Sequence, residues 1–164
     1  QIAGDAVLGD PAKGLALVER VVDEARIAMC SEAIGAMEES LKLTVEYLKT
    51  RKQFGVAIGT FQSLQHRAAE MFVNLEQARS MALFAAVATD LPDDERSSAV
   101  AASKVQVGKS SKFVGQQAIQ LHGGIGMTME ASIGHYFKRL SVIENTFGDT
   151  DYHLRRVASA GALV

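Results

Sequence analysis

The chain has 164 residues, of which 48% are hydrophobic and 22% are charged, with a formal net charge of −2. Such a chain can bury one sizeable core, and its composition excludes disorder driven by charge. The charge excludes binding to nucleic acid by phosphate neutralisation, and no apolar run approaches the roughly 20 residues that span a membrane. Cys30 is the single cysteine, which excludes an internal disulfide and a cysteine-based zinc site and favours a reducing, cytoplasmic location.

The spacing of the apolar residues predicts long helices in the first half of the chain. Asp10 and Pro11 form a good helix start, and apolar residues then recur every three or four positions as far as about Arg51. Glycines interrupt the pattern, and a second helix is predicted to begin near Thr60, whose side chain can cap it. That helix is predicted to end before the acidic turn around Pro92.

Three more helices are predicted in the second half. The third ends at Gly123-Gly124, a typical helix-ending signal, and its apolar residues stand at heptad spacing. A shorter helix is predicted from Met127 to about Leu140, and a last one from after Gly148 into the C-terminus. The predicted fold is an all-α up-down bundle of four to five helices over residues 11–164. The heptad residues of the third helix are Val100, Val107, Val114 and Leu121.

No metal or nucleophile motif stands out in the sequence. The histidines do not form the Glu-x-x-His pairs of metal-binding bundles, so we expect no metal. Cys30 lies beside the apolar stripe of the first helix, which favours a buried structural thiol over a nucleophile. The histidines, interpreted as ordinary surface or packing residues, are His66, His122, His135 and His153.

Three short patterns allow both a structural and a functional interpretation. The segment Gly123–Gly126 can end a helix, or it can let a phosphate or a ring approach the backbone closely. Arg51 can complement a helix C-terminus, or it can hold an anionic ligand while Phe54 supplies a flat apolar face. Asp23 and Arg26 lie three residues apart on one helix face, where the ordinary interpretation is a weak surface pair.

Two segments together resemble the C-terminal domain of the acyl-CoA dehydrogenase family. The first is Tyr47-Leu48-Lys49-Thr50-Arg51-Lys52-Gln53-Phe54-Gly55, with Ile58 and Phe61-Gln62 after it. The second is Gln117-Ala118-Ile119-Gln120-Leu121-His122-Gly123-Gly124-Ile125-Gly126, similar to the family pattern Q-x-x-G-G-x-G. The resemblance covers nearly the whole chain and implies two preceding domains. Residues 1–10 would then be an incoming segment from a missing middle domain, since Ala6-Val7-Leu8-Gly9 is similar to the strand that leaves it.

The resemblance implies a flavoenzyme that binds FAD between domains and across a subunit interface. Arg51 would hold the FAD pyrophosphate of a neighbouring subunit, with Phe54 packing beside it and Gln62 donating or accepting a hydrogen bond. The residues implied to contact the adenosine side of that same FAD are Gln120, Gly123 and Gly124. The residues implied to contact the FAD of their own subunit are Thr150 and Tyr152, and those along the acyl-CoA site are Asp23 and Arg26.

The sequence departs from the family pattern at the catalytic base. The resemblance implies a glutamate in the pattern Y-E-G-T, but the matching residues are Phe147-Gly148-Asp149-Thr150, so Gly148 stands at the base position. The other position that the family uses, on the first helix, is Ala25. The neighbouring carboxylates Glu24 and Asp149 are weak candidates for a displaced base, and Asp149 can equally be a helix N-cap.

The activity implied by the resemblance is α,β-dehydrogenation of an acyl-CoA thioester. Electron-transferring flavoprotein would accept the electrons, and the protein would associate with itself as a dimer or tetramer. The alternative is a non-catalytic subunit, or an isolated domain, that completes the flavin site of a partner. In that alternative a catalytic partner subunit supplies the base.

Overall fold

The computed structural model describes residues 3–7 and 9–161, and these form the predicted all-α bundle. The α-helices, in chain order, are α1 (Gly14–Thr50), α2 (Gln62–Val87), α3 (Asp93–His122), α4 (Ser132–Asn145) and α5 (Thr150–Ser159). A two-stranded antiparallel hairpin, β1 (Lys52–Gln53) and β2 (Val56–Ala57), follows α1. Short 3-10 turns join these elements at Gly4–Ala6, Pro11–Lys13, Ile58–Thr60, Ala88–Asp90 and Gly123–Met127.

The predicted start at Asp10 and Pro11 opens a 3-10 turn, and the first α-helix begins three residues later, at Gly14. The Asp10 carboxylate accepts a hydrogen bond from Ala12 N at 3.0 Å, and Pro11 opens a 3-10 turn that leads into α1. Because α1 has 37 residues, it forms a rod about 55 Å long. It therefore contributes side chains to both ends of the bundle.

Two other helix starts differ from the prediction. Thr60 does not cap α2, because its hydroxyl donates to Ala57 O at 2.8 Å inside a 3-10 turn. The fourth helix starts at Ser132 rather than at Met127, because the glycine-rich segment forms its own 3-10 turn and the chain then extends at Thr128. In contrast, Asp149 caps α5 as expected, accepting a hydrogen bond from Tyr152 N at 2.7 Å.

Helices α1 to α4 enclose one apolar core. All four heptad residues predicted for α3 are buried, and Cys30 is buried as predicted. In the first half of α1 the apolar spacing predicts that Val18 and Val22 face the core, but Val18 is 58% exposed and the first buried residues there are Asp23 and Arg26. The core residues are Cys30, Ala33, Ile34, Met37, Leu48, Met71, Leu75, Ala78, Ala82, Val107, Val114, Ala118, Leu121, Ile133, Leu140 and Ile143.

The segment before α1 contains a short turn at Gly4–Ala6 and no strand among its described residues. Part of the strand-like sequence, Leu8, lies outside the described residues. Its expected connection to a preceding domain stays a prediction. No described helix is both long enough and apolar enough to span a membrane.

Candidate functional site

The two motif segments meet in one surface cavity. α1 and α3 end side by side, so the residues that follow them line a cavity of about 520 Å³. Of the residues predicted to bind the cofactor, Arg51, Gln120, Gly123 and Gly124 line this cavity. Arg51 is exposed and forms no ion pair with any described residue, so its charge is available to an anion.

The hairpin after α1 fixes the direction in which Arg51 and Phe54 point. Arg51 N donates to Tyr47 O and Ile58 N donates to Arg51 O, both at 2.8 Å, so the hairpin folds back onto the helix end. Both turn residues, Phe54 and Gly55, have positive φ values of 54° and 81°. Two positive φ values are typical of a tight type I′ hairpin turn, in which a bulky aromatic residue is strained.

Phe54 is the most unusual residue of this hairpin. It is 91% exposed and contacts Phe61 edge-to-face, with ring centroids 6.1 Å apart. A strained and exposed aromatic side chain contributes little to folding, which favours a role in binding. Phe54 and Gln62 both lie next to the cavity along the chain but do not line it.

Gly124 has no structural reason to be a glycine within the described residues. Its φ is not positive, and a Cβ added there would meet no atom within 4 Å. Gly123 differs, because its φ of 62° ends α3 and requires a residue without a side chain. Open space beside the Gly124 backbone is therefore space that a ligand can use.

A stacked pair, Tyr47 and His122, forms one wall of the cavity. The ring centroids are 4.6 Å apart, and His122 Nδ1 lies 2.8 Å from Ala118 O, so this nitrogen carries the proton and donates. His122 and Tyr47 were not predicted as site residues, since a lone histidine is more often a packing residue. Their position next to the glycine segment and the end of α1 is the signal that could have identified them.

The opposite end of α1 holds a buried network of charges. Asp23 and Arg26 are 1% and 7% exposed, so the interpretation as a weak surface pair is wrong. Arg26 Nη1 donates to Asp23 Oδ1 at 2.8 Å, and Arg96 of α3 approaches the other carboxylate oxygen at 3.6 Å. Arg96 also pairs with Asp93 at 2.7 Å. The charges balance within the network, and contact of Asp23 and Arg26 with a substrate stays a prediction.

The network reaches the turn between α4 and α5, where Gly148 stands. The Phe147 carbonyl accepts hydrogen bonds from Arg26 Nε at 3.0 Å and from His153 Nε2 at 3.1 Å. Lys104 Nζ donates to three more carbonyls at 2.9–3.2 Å, those of Ile143, Glu144 and Thr146. Side chains from α1, α3 and α5 thus fix the backbone of this turn.

Two titratable groups around this turn are held in their neutral forms. Burial, with the nearby charges of Arg26, Lys104 and Arg156, lowers the pKa of His153 to about 4. Burial likewise raises the pKa of the Cys30 thiol to about 11, although the charge of Lys104 opposes the shift. Neither group is therefore ionised near neutral pH, and Cys30 lacks the thiolate that a nucleophile needs.

The carboxylates considered as a displaced base have other contacts. Glu24 is about half exposed and lies 3.5 Å from Arg20 on the same helix. Asp149 is committed to capping α5 through Tyr152 N. Ala25 and Gly148, at the two family positions, have no side chain that can accept a proton. A base role for Glu24 or Asp149 stays a prediction, and the contacts of both favour structural roles.

The predicted flavin residues fall into two separate groups. Thr150 and Tyr152 lie at the start of α5, beside Arg26, whose guanidinium carbon is 6.0 Å from the Tyr152 ring centroid. Arg26 and Arg51 are 25 residues apart along α1, which corresponds to about 38 Å. An extended dinucleotide is shorter than this distance. The cofactor contacts predicted for the two groups of one chain would therefore involve different cofactor molecules.

A larger cavity, of about 900 Å³, lies elsewhere, between α2, α3 and α5. Four alanines, Phe84 and Leu91 line it together with five polar or charged residues, and none of the predicted site residues is among them. Among the described residues, no three histidine, cysteine or carboxylate side chains gather as metal ligands would. The smaller cavity is the better candidate site, since both motifs converge on it.

Comparison with known proteins gives one consistent family. Residues 12–162 match the family described as "Acyl-CoA dehydrogenase, C-terminal domain". The acyl-CoA dehydrogenase IpdE2 of Mycobacterium tuberculosis is 40% identical over 119 residues, which cover 73% of this chain and 36% of the relative. The chain thus spans well under half the length of such curated relatives.

Solved structures share the fold. A variant of the Tcur3481-Tcur3483 steroid ACAD is 32% identical, with a TM-score of 0.81, over 85% of this chain and 38% of that chain. The ChsE4-ChsE5 complex from Mycobacterium tuberculosis is 27% identical, with a TM-score of 0.79, over 87% of this chain and 39% of that chain. Fold, motif placement and sequence agree, and the chain is a C-terminal domain of the acyl-CoA dehydrogenase family.

Proposed function

We propose that the complete protein is an FAD-dependent acyl-CoA dehydrogenase and that this domain contacts both the cofactor and a neighbouring subunit. The observation that carries the proposal is the cavity at the ends of α1 and α3. It combines Arg51, a cation that forms no ion pair with any described residue, with the open backbone at Gly124 and the amide side chain of Gln120. Arg51 would bind the FAD pyrophosphate, and the glycine segment would let the adenosine side approach.

The reaction assigned to the complete protein is α,β-dehydrogenation of an acyl-CoA thioester. When bound, FAD supplies the hydride acceptor, and the electrons pass on to electron-transferring flavoprotein. The chain's contribution is to hold the dinucleotide of a neighbouring subunit through Arg51 and the glycine segment. Thr150 and Tyr152, which belong to the other group, would contact the cofactor of their own subunit. We also assign the protein to the cytoplasm.

Exposed apolar side chains on α2 support self-association. Five residues along this helix are about half exposed or more, which is unusual for the surface of a monomer. A dimer or tetramer would cover them and would also bring Arg51 to the cofactor of its neighbour. The residues are Phe72, Val73, Leu83, Phe84 and Val87.

The turn at Gly148 favours a second candidate role, although the names of the relatives favour the dehydrogenase. Neither Gly148 nor Ala25 can abstract a proton, and Asp149 is engaged as a helix cap. In this second role the chain belongs to a subunit that completes a flavin site, and a partner subunit supplies the base. The steroid ACAD and the ChsE4-ChsE5 structure each pair two proteins in their names, which is consistent with such an assembly.

The proposal is tested by the affinity of the complete protein for FAD. Replacing Arg51 with Gln removes a charged hydrogen-bond donor, so we expect the dissociation constant to rise about 10- to 100-fold. Lys52→Gln is the matched control, because Lys52 is also an exposed cation but does not line the cavity. Equal effects of the two substitutions on FAD affinity would contradict the assignment of the cavity.

A further inference from the structure

Position 148 has no space for a side chain. A Cβ added to Gly148 would lie 2.4 Å from Tyr152 Cδ1 and 2.9 Å from His153 Nε2. The backbone φ at Gly148 is 104°, a conformation that residues with side chains rarely adopt. Two independent features, the conformation and the packing, therefore require a glycine here.

The two neighbours of Gly148 cannot easily move away. His153 is fully buried, and its Nε2 is engaged by the Phe147 carbonyl. Tyr152 lies on the first turn of α5, where χ1 is restricted, and Cδ1 belongs to the inner part of its ring. The guanidinium carbons of Arg26 and Arg156 lie 6.0 and 5.9 Å from the Tyr152 ring centroid, which restrains the ring although the residue is 41% exposed.

The backbone of the turn cannot easily move either. The Phe147 carbonyl receives two hydrogen bonds, from Arg26 on α1 and His153 on α5. Glu144 adds a third constraint, since its carboxylate accepts from Thr150 N at 2.9 Å. Shifting Gly148 away from Tyr152 would break contacts to two other helices.

We infer that Tyr152 closes position 148, so that this turn is built around a glycine and excludes a side chain there. The inference rests on the second role proposed above, in which the chain supplies no base. It deepens that role, because the proton acceptor is not merely missing at this position. In a carboxylate side chain introduced at position 148, the Cβ atom would already clash with the Tyr152 ring.

The test is a set of single and double variants in the complete protein, compared by melting temperature. Gly148→Ala adds only the Cβ, and Tyr152→Ala removes the ring that it would meet. Gly55→Ala is the matched control, because Gly55 also has a positive φ but a Cβ there meets nothing within 4 Å. We expect Gly148→Ala to lower the melting temperature by at least about 5 °C more than Gly55→Ala does.

The double variant isolates the contact between the two positions. In the Tyr152→Ala background, we expect Gly148→Ala to lower the melting temperature by less than half as much as it does alone. A Gly148→Ala loss no greater than that of Gly55→Ala, or equal losses in both backgrounds, would overturn the inference.

A carboxylate at position 148 provides an activity readout. We expect Gly148→Glu alone to lower the melting temperature at least as much as Gly148→Ala does and not to increase acyl-CoA-dependent flavin reduction, because the side chain has no place to enter. Increased flavin reduction at an unchanged melting temperature would overturn the inference. If the unmutated protein reduced its flavin with acyl-CoA in the absence of a partner subunit, the second role would be contradicted. The steric inference about Gly148 and Tyr152 would not be affected by that result.

Discussion

Two glycines of opposite kinds lie in the loops beside the two ends of α1. At the end near Arg51, the space beside Gly124 is open and nothing within the described chain uses it. At the other end, the closed end, the space beside Gly148 is filled by Tyr152 and His153. A glycine that the fold does not require indicates a role in ligand binding, whereas a glycine enclosed by neighbouring side chains indicates a structural role. The same family resemblance marks both positions, and backbone conformation and packing distinguish them.

The largest expected effect comes from breaking the charge network at the closed end. Asp23→Asn leaves Arg26 buried without a carboxylate partner and Arg96 with Asp93 alone, so we expect a loss of about 3 to 5 kcal/mol in the free energy of unfolding. Denaturant unfolding of the domain measures this loss. Glu32→Gln is the control, because it breaks the half-exposed pair with Arg139, which should contribute about 1 kcal/mol or less. Equal losses would mean that burial of the network contributes nothing.

The closed end should also respond to pH through His153. Its pKa is lowered from 6.5 to about 4 on folding, so between these values the unfolded chain binds the proton more tightly than the folded chain. Stability is therefore complete above about pH 6.5 and falls by about 3 kcal/mol as the pH drops to about 4. His153→Gln should remove this part of the pH dependence of unfolding, and the exposed His66→Gln should not. A parallel pH profile for wild type and His153→Gln would refute the assignment.

The helices could be predicted from local patterns, whereas the residues that line the open cavity were implied by the family resemblance. The heptad of α3 is buried as its spacing predicts, and the end of α1 and the glycine segment converge because two long neighbouring helices end there. The start of α4 could not be placed, since the glycine segment adopts a 3-10 turn of its own before Ser132.

The closed end could not be predicted, because its contacts join distant parts of the chain. Asp23 and Arg26 have the spacing of an ordinary surface pair, and only Arg96 and the Phe147 carbonyl show that they are buried partners. The backbone conformation alone would make a side chain at Gly148 cost about 1 kcal/mol or more. The clash of an added Cβ with Tyr152 raises that cost, and the sequence gives no sign of this contact.

A smaller effect is expected at Phe54, where one substitution should stabilise the fold and weaken FAD binding. Asparagine tolerates a positive φ better than phenylalanine, so Phe54→Asn should stabilise the hairpin by about 0.5 to 1 kcal/mol. The loss of the exposed ring should weaken FAD binding several-fold in the complete protein. Thermal unfolding and flavin titration measure the two effects. Leu15→Asn, which removes an exposed apolar side chain from the start of α1, serves as the control for FAD binding, and an equal loss of affinity there would argue against a specific role of Phe54.

The smallest expected change in stability is at Gly124, and it separates the two kinds of glycine. Its backbone does not require glycine and a Cβ meets no atom, so Gly124→Ala should leave the free energy of unfolding within about 0.5 kcal/mol of the wild type or raise it slightly. The methyl group would nevertheless occupy the space where a ligand approaches, so FAD affinity should fall. Unfolding and flavin titration of the same variant supply both measurements. If Gly124→Ala left FAD affinity unchanged, the open space beside Gly124 would not bind a ligand. The glycines of the cavity would then serve only to end α3.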